Sequence, residues 1–444
     1  MSTPRAASGS TVRWTGRCDA LTGADRRALF DRTAGIDAAV GERTSNIIAR
    51  VRRDGDDALH TLAVELDGVE LESLEVPRAR WRTALDNLPG SLRQALERSA
   101  QNIERVHRAF LPAAQETESE PGVIVGRRPD PLGRVGVYAP GGRAAYPSSV
   151  LMGIVPARVA GVGQIVLCSP PSRDTRMPSN VVLAAAALAG ADRVFALGGA
   201  GAVAAMAYGT ASVPRVDRIV GPGNAYVAEA KLQVSSAVAI DSPAGPSELL
   251  VLCDETADAT LVAREMLAQA EHDPLAAVVA VTTSERAVDD ILSALEAGLT
   301  THPRADICRA ALAGQGAVLS AASLADAIAF ANEYAAEHLL LVVKSQDDAL
   351  AKLRNAGTVF VGATASVAFG DYMTGANHVL PTGGLARSYS GLSTLDFVRW
   401  TTYQRVTRDA AARLADDVGI FADAEGLPGH AATARAWREG ASVS

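Results

Sequence analysis

Short apolar runs dominate the middle of the chain and alternate with Ala-rich segments of helical length. Gly133 to Tyr138, Gln164 to Cys168, Arg193 to Leu197, Asp217 to Val220 and Ala237 to Ile240 are largely unbroken, as expected of strands buried on both faces. Between them Ser149 to Val159, Asn180 to Ala189, Ala202 to Tyr208 and Ala225 to Val234 predict helices. After the turn at Pro243 to Pro246 the alternation resumes, with runs at Leu249 to Cys253, Ala276 to Val281, Ala317 to Leu319, Leu339 to Val343 and Thr358 to Val361. Upstream, Val40 to Leu66 predicts a helical pair broken at Asp54-Gly55. Ser91 to Phe110 predicts a helix with Leu92, Leu96, Ile103, Val106 and Phe110 on one stripe.

This pattern predicts an α/β fold of two successive, incomplete Rossmann-like parallel-sheet units, flanked by a helical N-terminal region and a helical C-terminal tail. The expected segments are 1–120 for the N-terminal region, 121–241 for the first unit (completed by part of 365–388), 242–364 for the second and 389–444 for the tail. No sequence period links the two units. With 444 residues, 48% of them apolar, the chain can bury several cores.

A formal charge of −8 and the lack of a Lys/Arg cluster argue against nucleic-acid and acidic-membrane partners. The opening MSTPRAASGSTVRW has no apolar run of signal-peptide length, and no stretch is long enough for a membrane span, so a cytoplasmic protein is expected. Cys18, Cys168, Cys253 and Cys308 form no CxxC pair. Cys168 and Cys253, at the ends of apolar runs, read as core thiols before nucleophiles. His60 and His107 have no companion that suggests a site.

Chemistry concentrates in four places. Pro243, Gly245 and Pro246 turn the chain into Ser247 and Glu248. A helix capped by Thr256 or Asp258 then runs towards Gln269 and His272, three residues apart and so on one face. Glu337 and His338 precede an apolar run and must lie in the loop before it if both are to reach one substrate. Such a pair suits proton transfer. Asp371 and His378 lie in a Gly-rich stretch, and Glu425 and His430 in the tail. Gln269, His272, Asp371 and His430 make an oxygen- and nitrogen-rich set that suits an open Zn²⁺ site, although each alone could be a surface polar residue. Glycine-rich turns follow three strands, at Tyr138 to Gly142, Leu197 to Ala202 and Val220 to Asn224. They could approach a dinucleotide phosphate or serve sheet packing alone.

The string IDSPAGPSELLVLCDETADATLVAREMLAQAEH (240–272) resembles the signature of the histidinol dehydrogenase family. RVGVYAPGG, RIVGPGNAYVAEAK, AAEHLLL, FGDYMTGANHVLPTGG and SGLSTLDF follow the family's order, so the likeness runs from about Val40 into the tail. It implies zinc ligands at Gln269, His272, Asp371 and His430, and an acid–base pair at Glu337 and His338. It also implies substrate contacts at Ser247, His378, Glu425 and those same ligands and His338, and NAD against Tyr138 and Asn224. The implied reaction takes L-histidinol through L-histidinaldehyde to L-histidine with two NAD, in a homodimer whose tail completes the neighbour's site. Two positions depart from the family: Gly201, where a cofactor-side glutamine is common and only loop shape is expected here, and Ala336, where a proline is usual. Zinc hydrolysis and non-catalytic metal or nucleotide binding are the other classes these residues allow.

Overall fold

The computed structural model describes residues 11–32, 38–141, 145–243 and 245–438. Gly142, Ala244 and the first ten residues, singled out above, lie outside the described residues. The chain forms two compact units. One comprises the described residues up to Phe110 together with Leu132–Phe397, and the other comprises Leu111–Pro131 with the described residues from Val398 on.

The larger unit holds two parallel sheets. From edge to edge the first runs Arg193–Ala196, Gln164–Ser169, Arg134–Tyr138, Arg218–Val220 and Ala239–Ile240. The second runs Trp14–Arg17, Gly316–Ser320, Ala277–Thr282, Glu248–Cys253, His338–Val342 and Thr358–Val361. Every pairing within them is parallel. In the second sheet Leu249, Val251 and Cys253 pack into one core layer, and Leu250 and Leu252 into the other. Both layers are covered by helices, which is why the run is continuously apolar.

The edge strand Trp14–Arg17 corrects the expectation of a purely helical N-terminal region, since it pairs with Gly316–Ser320 some 300 residues on. The predicted helices around residue 55 are Ala38–Asp54 and Asp56–Leu62, parted at Gly55 with φ +58°. The third predicted helix is Gly90–Ala109, on which Leu96 and Ile103 are buried while Phe110 at its end stays exposed. His107 is buried, its Nδ1 3.0 Å from the Ile103 carbonyl, so it is a structural residue.

The smaller unit was not foreseen. Gln115–Glu120 and Val123–Pro131 form a hairpin to which Val398–Val406 adds antiparallel, followed by helices Arg408–Ala424 and Pro428–Arg435. The tail is therefore strand and then helices. No helix among the described residues is long and apolar enough to cross a membrane.

Candidate active site

Glu337 and His338 sit where the second sheet changes direction of winding. Glu248–Cys253 and His338–Val342 are adjacent strands, and Glu248 and His338 are their first residues. Glu337 lies in the bend before its strand, whereas His338 opens the strand itself, so the pair straddles the bend and the strand instead of lying wholly in the loop as expected. That bend follows helix Leu324–Tyr334, which ends on Ala335 in the left-handed conformation (φ 52°, ψ 59°).

Each atom of the pair has a defined partner. Glu337 Oε2 accepts from the Glu248 N–H at 2.7 Å. His338 Nδ1 lies 3.0 Å from the Glu248 carbonyl and 3.4 Å from Glu337 Oε2. Both neighbours only accept, so Nδ1 carries a proton and donates. Nε2 is left uncommitted: it is buried, has no hydrogen-bond partner, and stands 3.8 Å from Asp371 Oδ1. Burial alone would lower the His338 pKa, but Glu337, then Asp371 and the Glu248 carbonyl, reverse that and raise it to about 9. His338 of the metal-free chain is therefore expected to hold its imidazolium until near that value, followed by histidine NMR. Because the folded pKa exceeds the ordinary 6.5, the pairing stabilises the fold fully below 6.5. This contribution is lost as pH rises through about 9. A flat stability profile over that window would contradict the pairing.

Asp371 sits on helix Val367–Tyr372, and its carbonyl receives Nδ1 of His378 at 3.0 Å, which commits that nitrogen of the ring. Burial lowers the His378 pKa more than Asp371 raises it, which favours a neutral ring. Two hydrogen bonds fix this segment: Ser99 Oγ to the Tyr372 carbonyl (2.6 Å) and Asn102 Nδ2 to the Met373 carbonyl (2.8 Å). Glu265 Oε2 accepts from the Val367 N–H at 3.2 Å. One turn beyond each partner stand Gln269 and Asp371.

Asp258, rather than Thr256, caps the helix Ala259–Ala270 by accepting from Thr260 N. Thr256 bonds to Asp254 instead. The helix ends before His272, so the one-face argument for Gln269 and His272 does not hold as stated. Gln269 is 2% exposed and its Nε2 has no partner, whereas His272 is exposed beyond the helix end. Ser247 is half-buried one residue before Glu248. Glu425 and His430 are exposed in the smaller unit. Among the described residues, no group of three or more His, Cys, Asp or Glu is gathered as a metal site. The donor chemistry still fits zinc: the set offers an amide oxygen, a carboxylate oxygen and imidazole nitrogens without a thiolate, and the buried Gln269 amide, whose Nε2 has no partner, is free to turn its oxygen towards a cation.

The glycine turns lie at the C-terminal ends of the first sheet, where Arg134–Tyr138 and Arg218–Val220 flank its change of strand order. Tyr138 Oη accepts from the Gly199 N–H at 3.1 Å, at the start of helix Gly199–Tyr208. Gly221 (φ +115°) passes so close that a Cβ would overlap the Tyr138 carbonyl. Asn224 caps helix Ala225–Val234, accepting from Tyr226 and Val227 N–H groups. This cradle fits a dinucleotide. Sequence reasoning missed its support: a buried Lys231–Asp241 ion pair, with Lys231 Nζ donating to the Gly221 carbonyl (3.1 Å) and Asp241 Oδ2 accepting from the Gly221 N–H (2.7 Å). A charged residue in each of two apolar segments was the available signal. Gly201 lies in the helix rather than a loop, facing Leu59 and Leu62.

Also missed was the network behind the pair. Arg32 Nε donates to Glu248 Oε1 at 2.9 Å, and the same oxygen accepts from Gly383 N at 2.6 Å. Cys168 and Cys253 are buried and their thiols pushed up by burial, Cys253 to about 12, which leaves neither a thiolate at neutral pH.

A sequence model of histidinol dehydrogenases matches residues 31–438. The histidinol dehydrogenase of Halobacterium salinarum is 50% identical over 411 residues, 92% of this chain and 96% of that one. That of Methanosarcina mazei is 45% identical over 93% of this chain and 95% of its own. The crystal structure of histidinol dehydrogenase from Elizabethkingia anophelis superposes with a TM-score of 0.92 at 33% identity, covering 97% of this chain and 99% of that one.

Proposed function

Because the chain belongs to the histidinol dehydrogenase family of oxidoreductases, we propose that it converts L-histidinol through L-histidinaldehyde to L-histidine, with two NAD and one water consumed. The observation that carries the reading is the buried His338, with Nδ1 fixed as a donor and Nε2 free, beside the buried carboxylate of Glu337. When bound, a zinc ion held by Gln269, His272 and Asp371, with His430 supplied by the tail of a second copy, would supply a fixed anchor for the substrate's imidazole and amine. NAD against Tyr138 and Asn224 would accept hydride in each oxidation.

The chain's own groups do the proton chemistry. His338 Nε2 takes the proton of the substrate hydroxyl as hydride leaves the adjoining carbon. His338 returns that proton to the aldehyde oxygen as Glu337 takes a proton from water, whose oxygen adds to the aldehyde carbon to give the hydrate. His338 then takes the hydroxyl proton of the hydrate as the second hydride leaves. Ser247 and His378, together with Glu425 from the tail of a second copy, are proposed to contact the substrate. Ile420 and Phe421 in the smaller unit are 64% and 71% exposed, which supports pairing of two copies through the tail. A cytoplasmic location accords with the reading.

Purified, zinc-loaded protein is expected to form two NADH per histidinol, read by NADH absorbance. No NADH would eliminate the dehydrogenase reading in favour of hydrolysis or binding alone. His272→Ala is expected to lose zinc and substrate affinity together, by about 10–100-fold for the metal. Unchanged metal content by elemental analysis would remove His272 from the ligand set.

A further inference from the structure

The larger unit contains a buried ion pair that the proposed chemistry does not use. Side chains of Arg32 and Glu248 are 2% and 1% exposed and meet at 2.9 Å. Such a pair contributes little net stability, because removing both charges from water offsets most of their attraction. Its effect lies in what it holds.

Arg32 Nη2 donates to the Tyr334 carbonyl at 2.6 Å and approaches that of Ala335 at 3.5 Å, while the guanidinium lies 3.6 Å over the Tyr334 ring. These carbonyls end the helix that delivers Glu337, at the one turn where a non-glycine residue adopts left-handed geometry beside the site. Glu248 occupies the opposite side. Its carboxylate accepts from Arg32, from Gly383 and, at 3.3 Å, from the Glu337 N–H. Its own backbone N–H and carbonyl bind Glu337 Oε2 and His338 Nδ1. Gly383 belongs to the segment that follows Asn377 and His378, and the neighbouring Thr382 Oγ1 accepts from Gly245 N at 2.5 Å.

We infer that Arg32 and Glu248 are positioning residues: a buried brace that ties the helix end at Tyr334–Ala335, the turn before Glu248 and the segment after His378 into one geometry, and thereby aims Glu337 and His338. The brace rests on the proposed function only in taking those two residues as the acid–base pair. Glu248→Gln keeps size and one acceptor oxygen but removes the charge matched to Arg32. Arg32→Lys keeps charge but loses the fork that reaches Glu248 and Tyr334 together.

The test uses zinc-loaded, full-length protein. Both variants are expected to lose about 10–100-fold in kcat, with KM changed less than about threefold. The kcat pH profile should shift, and the ¹⁵N signals of the neutral His338 ring should move away from a single Nδ1–H state. Metal content should be unchanged. Wild-type kcat per folded site with an unshifted profile in either variant would overturn the brace, as would a loss confined to the folded fraction. Should Glu248→Gln fail to fold, Arg32→Lys decides by the same criteria. If the wild type makes no NADH, the function fails by itself, and the His338 ¹⁵N comparison between wild type and variants still decides the brace.

Discussion

His338→Ala is expected to lower both oxidations by about 10²–10⁴-fold, the range a positioned general base supplies. Both depend on one atom. Nε2 is the free nitrogen of the buried ring, and Nδ1 is committed to the Glu248 carbonyl at 3.0 Å. Alanine removes the proton acceptor but leaves strand His338–Val342, whose ladder bonds are backbone bonds to Glu248–Cys253. The fold should therefore persist, at lower stability because the pairing of the ring with Glu337 is lost, and rates are read per folded site. Single-turnover measurements from L-histidinol and, separately, from supplied L-histidinaldehyde read the two steps. An aldehyde step that survives at the wild-type rate would show that another group serves as its base.

The central strands of the parallel sheets were legible because they are covered on both faces, so each sequence is a run rather than an alternation. Leu249 to Cys253 illustrates this, with neighbours sent to two different core layers. The hairpin strand Gln115–Glu120 was illegible for the opposite reason: QETESE is exposed along its whole length and has no apolar periodicity to detect. Trp14–Arg17 is four residues long and finds its partner some 300 positions away. Nothing local signals such an edge strand.

The same division governs the site. Glu337 and His338 announced themselves as adjacent groups before an apolar run, and the Gly-rich turns as loops after strands. Gln269 and His272 were grouped by spacing on an assumed continuous helix, yet the helix stops at Ala270 and the two differ in burial. Arg32 and Glu248 stand 216 positions apart, and no spacing rule links them. Lys231 and Asp241 are closer in sequence, but their shared target is the backbone of Gly221, which side-chain patterns do not disclose.

Glu337→Gln should separate the two oxidations. The amide oxygen can still accept from the Glu248 N–H, so the bend before the strand is expected to persist. Two things change. The side chain can no longer take a proton from water, which should slow the aldehyde step by about 10²–10⁴-fold. The charge 3.4 Å from Nδ1 also disappears, and Glu337 is the largest influence raising the His338 pKa, so that value falls from about 9. A less strongly protonated ring is available as a base at lower pH, which preserves more of the alcohol step. The NADH yield per histidinol should drop from two towards one at early times, with the aldehyde trapped by semicarbazide in equivalent amount. Equal loss of both steps, with no trapped aldehyde, would mean that Glu337 serves only to hold His338 and that water is activated elsewhere.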